Sequence, residues 1–353
     1  MVAKLMPSRV DPQVAPRDYW QRYHELRRVR QAEMRPDDPV RSDEDEEAWV
    51  KRGDPSELQV HCEIAEDGVM VSSYYGESAK PGSPGYETNA HLFWSDIYVH
   101  PRHRRRGIGA SWLPLIVELM EERSCTTANF YAEDEPGHAF LKWLGAEAKM
   151  TDVESRLDLS TVDWAMVERW AAEGRSRSPR TTLDVYDGAL PEAMLPDLAP
   201  QFSKLLNTMP FEDLDHGEIV VTSEEIKHWY ARMELVGEKL HTVITREPDG
   251  TLSGLTDMTW ARHRPQLVMQ QFTGVSPEAR GRGIGKWIKA AMLLHIRELY
   301  PEARWIATEN AGSNAPMRAI NRMLGFQQYR VGTTYQVKLD RLVEKVRSLR
   351  APG

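Results

Sequence analysis

The sequence predicts two α/β domains of one plan joined in tandem. Three observations carry this. A glycine-and-arginine string occurs twice, as Arg104-Arg105-Arg106-Gly107-Ile108-Gly109 and Arg280-Gly281-Arg282-Gly283-Ile284-Gly285. The copies lie 283 − 107 = 176 residues apart, about half of the 353-residue chain. Ahead of each copy, a hydroxyl residue precedes a tryptophan by seven positions, Ser42 to Trp49 and Thr222 to Trp229. Between these landmarks both halves carry two strand-like runs joined by Asp-Gly, at Asp67-Gly68 and Asp249-Gly250, a hairpin signal.

Each element then follows in order. A helical pattern over 19–34 in the first half corresponds to one over 191–206 in the second, and each leads into an acidic loop. Thr222 with Glu225 reads as a capping box, and Ser42 with Asp45 as a weaker one. Strands are predicted over 58–65 and 69–75, and again over 240–246 and 251–260. Strands over 92–99 and 266–275 end in Val-x-Pro (Val99-His100-Pro101; Val275-Ser276-Pro277) and enter the glycine strings. The next helix carries Leu115, Ile116 and Leu119 in one half, and Ile288, Met292, Leu293 and Ile296 in the other. Pro114 falls early in the first of these helices, where it disturbs the backbone ladder; the second has no such proline. Strands over 127–131 and 304–308 follow. Then come a short helix, a Leu-Gly turn (Leu144-Gly145; Leu324-Gly325) and a closing strand over 155–159 or 333–339. The segment 172–180, rich in Gly, Ser, Arg and Pro, reads as a linker, and the helical pattern over 162–170 as a bridge to it. The expected domains are 1–160 and 181–345, separated by a linker helix and loop over 161–180.

Composition bounds the function. Hydrophobic residues make up 41% of the chain, enough for real cores, and the net charge of −8 argues against a nucleic-acid binder. The arginine strings are therefore local exceptions suited to a small phosphorylated ligand. The two cysteines, Cys62 and Cys125, form no CxxC, and His216, His241 and His263 show no ligand spacing, so no metal is expected. No apolar run reaches membrane-spanning length and no signal-peptide core is apparent, so a cytoplasmic protein is expected. A strand, a glycine-rich turn and a helix start make a phosphate cradle, because glycine lets backbone N–H groups approach an anion and the helix N-terminus favours negative charge.

The order of elements resembles the GNAT superfamily, the Gcn5-related N-acetyltransferases. The resemblance rests on Arg-x-x-Gly-x-Gly after a strand, at Arg104, Gly107 and Gly109 and at Arg280, Gly283 and Gly285. It also rests on the Asn-rich stretch Thr308-Glu309-Asn310-Ala311-Gly312-Ser313-Asn314 ahead of Leu324-Gly325-Phe326. It covers nearly the whole chain as two copies, and its tandem organisation is similar to that of mycothiol synthase-like enzymes. It implies two GNAT-like domains, each a mixed, mostly antiparallel sheet flanked by helices, packed as a monomeric pseudo-dimer or forming a homodimer. It implies transfer of an acyl group, most simply acetyl, from acetyl-CoA to a small amine.

By the same resemblance, acyl-CoA is bound by Val275, Arg280, Gly281, Arg282, Gly283, Ile284, Gly285, Lys286, Asn310 and Asn314. Val99, Arg104, Arg106, Gly107 and Gly109 form the corresponding set in the first half. Asn314, ahead of Ala315-Pro316, is also a good N-cap. The family's acidic position before the strand-end valine is Asp96 in the first half and Phe272 in the second. Because Phe272 is not acidic, Asp257 or Glu309 is expected to stand in as base; the general-acid tyrosine position holds Leu141 or Asn321, so neither half has that acid. The acidic residues Glu212, Asp213 and Asp215 are candidates to attract a cationic acceptor. The second domain is expected to carry the chemistry, and the first to be structural or a degenerate site. An acyl-CoA-binding protein without turnover, and a metabolite- or antibiotic-tailoring acyltransferase, are the alternatives.

Overall fold

A computed structural model describes residues 6–350. In chain order the strands are β1 (Ser8–Val10), β2 (Glu57–Glu66), β3 (Val69–Ala79), β4 (Leu92–Val99), β5 (Thr127–Ala132) and β6 (Glu147–Asp158). They continue as β7 (Thr182–Asp187), β8 (Glu238–Arg246), β9 (Leu252–Ala261), β10 (Leu267–Val275), β11 (Trp305–Ala311) and β12 (Gln327–Lys338). The chain divides into two compact units. The first runs to Met150 and adds Asp213–Glu218 and everything from Gly332 on; the second comprises Thr151–Glu212 and Ile219–Val331.

Within the first unit the strand order is β1-β2-β3-β4-β5-β12. Only β4 and β5 pair in parallel; β12 runs antiparallel to β5 from Thr333↔Ala132 to Lys338↔Thr127. The Asp67-Gly68 turn has both residues at positive φ (50° and 80°), the two-residue geometry that matches strand twist. Phe93, Trp112, Leu113, Ile116 and Leu119 form the core with Tyr335, Val337, Leu342 and Val346. Burying each such side chain contributes about 1.5–3 kcal/mol.

Within the second unit the order is β6-β11-β10-β9-β8-β7, with β10 and β11 the parallel pair. Here β6 supplies the strand beside β11, from Trp305↔Asp158 to Ala311↔Asp152. Both sheets are thus mixed and mostly antiparallel, flanked by helices. Their last strands are exchanged with respect to chain order, so the units do not follow the expected cuts at 160 and 181. Domain 1–160 lacks its own closing strand, and β12 completes that sheet instead.

The expected linker over 172–180 is mostly helix. A helix runs Trp164–Arg177, capped by Asp163 accepting from the Met166 N–H at 3.0 Å. Gly174 serves close packing rather than flexibility: a Cβ there would come within 2.2 Å of Trp287 Cγ. Asp249-Gly250 also departs from a two-residue turn. Only Gly250 is left-handed, and its N–H donates to the Glu247 carbonyl at 2.9 Å in a longer loop.

Candidate functional site

In the second unit β10 and β11 pair from Leu267↔Trp305 to Gln270↔Thr308 and then part, β10 continuing to Val275 and β11 to Ala311. On its other side β10 bulges. Gln270 faces Met258 and Thr273 faces Thr256, leaving Gln271 and Phe272 opposite Asp257 alone. The Asp257 carboxylate accepts the Phe272 N–H at 2.7 Å. Burial pushes its pKa up to about 7, against the opposing pull of that N–H.

A buried polar network supports the bulge from beneath. The Gln270 amide donates to the Thr256 and Thr273 hydroxyls at 2.7 and 2.9 Å, and Thr256 donates to the Phe272 carbonyl at 3.1 Å. The Gln270 carbonyl accepts from Lys289 Nζ. Lys289 is 1% exposed, its ammonium lies 5.4 Å from the Phe326 ring centroid, and burial pulls its pKa down to about 7.

Where β10 ends, the Arg280 Nε–H donates to the Val275 carbonyl at 3.3 Å, fastening the turn to the strand. Gly281 and Gly283 adopt φ of 78° and 84°, which glycine reaches without steric cost. The unbroken helix Ile284–Leu299 begins at once. Its first turn, Ile284, Gly285 and Lys286, presents backbone N–H groups with no intrahelical acceptor. Gly285 lets the helix start pack tightly: a Cβ there would lie 3.3 Å from Ile320 Cδ1. The Lys286 Nζ sits 4.8 Å from the Trp170 ring centroid, and Arg282 pairs with Glu247 at 3.0 Å. At the far strand, Asn321 Nδ2 donates to Asn310 Oδ1 at 2.8 Å, while the buried Asn321 Oδ1 has no partner among the described residues. Asn314 is the N-cap of the helix Ala315–Leu324, accepting from Met317 N–H at 3.3 Å. Glu309 is exposed and lies opposite Glu154.

The first unit repeats the scaffold but not the details. Its parallel strands β4 and β5 pair from Leu92↔Thr127 to Ser95↔Phe130 and part, and the Arg104 Nε–H donates to the Val99 carbonyl at 3.1 Å. However, β4 meets β3 in unbroken register from Val99↔Ser72 to Trp94↔Glu77, so no bulge forms. Gly107 is left-handed at φ 80°, but Arg105 stands in the place of Gly281 and takes φ 63°, which costs a residue with a Cβ about 1–2 kcal/mol. After Gly109 the helix breaks at Trp112 into Ile108–Ser111 and Leu113–Glu122, as the proline at 114 demands. Both arginines are held by carboxylates: Arg104 by Glu33 at 2.7 Å and Arg106 by Glu66 at 2.7 Å. Asp96 is gripped by both terminal nitrogens of Arg30, at 2.5 and 2.9 Å.

The acidic loop is largely spent on the fold. Glu212 accepts the backbone N–H groups of Thr151, within β6, and Ser313, in the turn after β11, at 3.0 and 2.9 Å. Asp215 pairs with His91 and Lys338, each at 3.0 Å. This loop therefore does not present three free carboxylates to a cationic acceptor. The sequence reading missed Lys289 and Gln270. The signal was present: Lys289 falls four after Gly285 and three before Met292, on the inward stripe of its helix, and Gln270 alternates with buried Val268 and Phe272.

With this geometry in place, the comparisons show what the chain is similar to. Residues 20–146 match the family model described as "Acetyltransferase (GNAT) family". That match makes the stretch 20–146 similar to a GNAT acetyltransferase domain. A tandem GNAT protein from the clavulanic acid biosynthesis pathway, crystallised without AcCoA, shares the fold at TM-score 0.73 and 20% identity, over 95% of this chain and 99% of its own. A GCN5-related N-acetyltransferase from Sphaerobacter thermophilus aligns at TM-score 0.61 and 13% identity, over 95% of each chain. A GCN5-related glucosamine N-acetyltransferase region of a fungal multi-domain β-N-acetylglucosaminidase aligns at TM-score 0.62 and 11% identity, over 95% of this chain and 38% of that one. The chain thus has the tandem GNAT fold. Comparison with curated proteins gives no match. Among the described residues, no helix is long and apolar enough to cross a membrane.

Proposed function

We propose that the protein is an acyl-CoA-dependent N-acyltransferase, an acetyltransferase in its simplest form, and that the second unit performs the chemistry on a small amine. The observation that carries this reading is the bulge of β10 with Asp257 against it, beside parting strands and an unbroken phosphate-binding helix start. The first unit has the parting strands without the bulge. The pyrophosphate of the acyl-CoA rests on the N–H groups of Gly283 to Lys286, with Arg280 adding charge. The pantetheine arm lies between β10 and β11, where the unpartnered Asn321 Oδ1 accepts one of its amide N–H groups. Asp257 removes the proton of the acceptor ammonium, directly or through one water. The freed amine attacks the thioester carbonyl, forming C–N as C–S breaks; CoA leaves as a thiolate, and the extra proton on the new amide nitrogen passes to that thiolate, directly or through water, to give the free thiol. Glu309, exposed and opposite a second carboxylate, is the poorer base; Asp96, locked to Arg30, is poorer still.

A second reading places acyl-CoA in the first unit, and the family-model match at 20–146 favours it. Calorimetric titration with acetyl-CoA separates the two readings. Gly283→Asp and Gly107→Asp put the same side chain at matched left-handed positions (φ 84° and 80°) in the two turns. Gly283→Asp is expected to abolish binding and thiol release with an amine panel, while Gly107→Asp leaves both near wild type. The reverse pattern moves the chemistry to the first unit. Binding without thiol release across the panel would support a non-catalytic acyl-CoA binder.

A further inference from the structure

Away from the phosphate turn, toward the C-terminal end of the helix Ile284–Leu299, three side chains from three elements converge. Asp187 ends β7, the last strand in the sheet order of its unit, and His241 lies directly across from it on β8. His295 comes from the helix. His241 Nδ1 and His295 Nε2 both approach the same carboxylate oxygen, at 2.7 and 2.5 Å, and the three donor atoms lie within 4.8 Å of one another. His241 is 2% exposed, whereas the Asp187 side chain is 56% exposed, so the cluster is rooted in the core and open to solvent on one side.

We propose that Asp187, His241 and His295 bind a divalent transition-metal ion, zinc being the simplest, that clamps edge strand β7 to this helix. Two imidazoles and one carboxylate suit first-row divalent ions and leave an open position for water. The far nitrogen of His241 lies 2.8 Å from the Tyr300 hydroxyl, which is itself fixed by stacking on Trp260 at 4.7 Å. With that nitrogen donating to Tyr300, the Nδ1 lone pair faces the Asp187 oxygen, an arrangement that a cation between them stabilises. Metal bonds of about 2.0–2.1 Å need the donors roughly 3.3 Å apart. The exposed carboxylate has room to withdraw by that difference. The rival is a metal-free triad with the opposite tautomer, in which Tyr300 donates to His241 and His241 to Asp187.

The test is calorimetric titration of the metal-stripped full-length protein with zinc chloride, with the cobalt(II) absorption spectrum as the geometric readout. One equivalent of zinc is expected to bind, raising the melting temperature, and cobalt is expected to give intense visible bands of low coordination. His295→Ala and Asp187→Asn, both at the solvent side, should remove binding and the melting shift. Tyr300→Phe, which keeps the ring stack, should weaken zinc roughly tenfold or more. His241→Gln sits in the core and can fail through folding, so it is not the deciding variant. Absence of stoichiometric binding to the wild type, or binding unchanged in both solvent-side variants, overturns the proposal in favour of the metal-free triad.

Discussion

At the scale of single residues, Asp257 and Asp96 differ in what surrounds them. Both are aspartates on strands of corresponding sheets, but Asp96 faces the Arg30 guanidinium and Asp257 faces one backbone N–H in a half-buried setting. Burial without a countercharge raises a carboxyl pKa, and here it reaches about 7. A base works only when deprotonated, so kcat/KM is expected to rise with pH through about 7 and then level. Asp257→Asn should remove that limb and lower kcat about 10²–10⁴-fold. The measurement is a pH–rate profile by thiol release, in wild type and variant. An unchanged limb in Asp257→Asn would assign the titration to the acceptor amine and remove Asp257 from the mechanism. The motif residues themselves were legible in the sequence, because a turn needing positive φ writes glycine at fixed places. Which carboxylate would be desolvated was not, since that depends on a bulge and on the absence of a neighbouring arginine distant in sequence.

At the scale of elements, the helix Ile284–Leu299 joins two demands. Its first turn forms the phosphate cradle, and one turn later Lys289 holds Gln270 under the bulge. The matching helix of the first unit is cut by Pro114, and that asymmetry was readable from the proline alone. The bulge was not, because its extra residue fits an apolar strand pattern as well as a regular strand does. Lys289 carries a linkage of definite sign. Its pKa is about 7 when folded and 10.5 for an ordinary lysine, so between those limits the unfolded chain binds the extra proton. Stability from this group therefore rises as pH climbs from about 7 and is lost as pH falls back toward 7. Asp257 acts in the opposite sense below that range. Its folded pKa is raised from 3.8 to about 7, so its contribution declines as pH climbs between those values. Lys289→Met, close in length and free of charge, should flatten the rise above pH 7, measured as the urea midpoint at several pH values against wild type. If both proteins rise in parallel, the ammonium is not buried as described.

At the scale of the whole molecule, the tandem repeat was legible but its strand assignment was not. Each half writes a closing strand pattern after its Leu-Gly turn, and nothing local states which sheet the strand joins. The structure gives β12 and the helix Leu339–Arg350 to the first unit and β6 to the second. A consequence follows for truncation. A chain ending at Val331 keeps all six strands of the second unit. It removes Tyr335, Val337, Leu342 and Val346 from the first unit's core and bares the β5 edge. Losing four buried side chains at about 1.5–3 kcal/mol each removes about 6–12 kcal/mol, on the order of a domain's whole stability. The first unit should therefore unfold although no residue of the N-terminal half is touched. Limited proteolysis read by mass spectrometry checks this. Cleavage is expected throughout 6–150, with a protected core beginning near Thr151. Protection of both segments in the truncated chain would mean that the N-terminal half closes its own sheet.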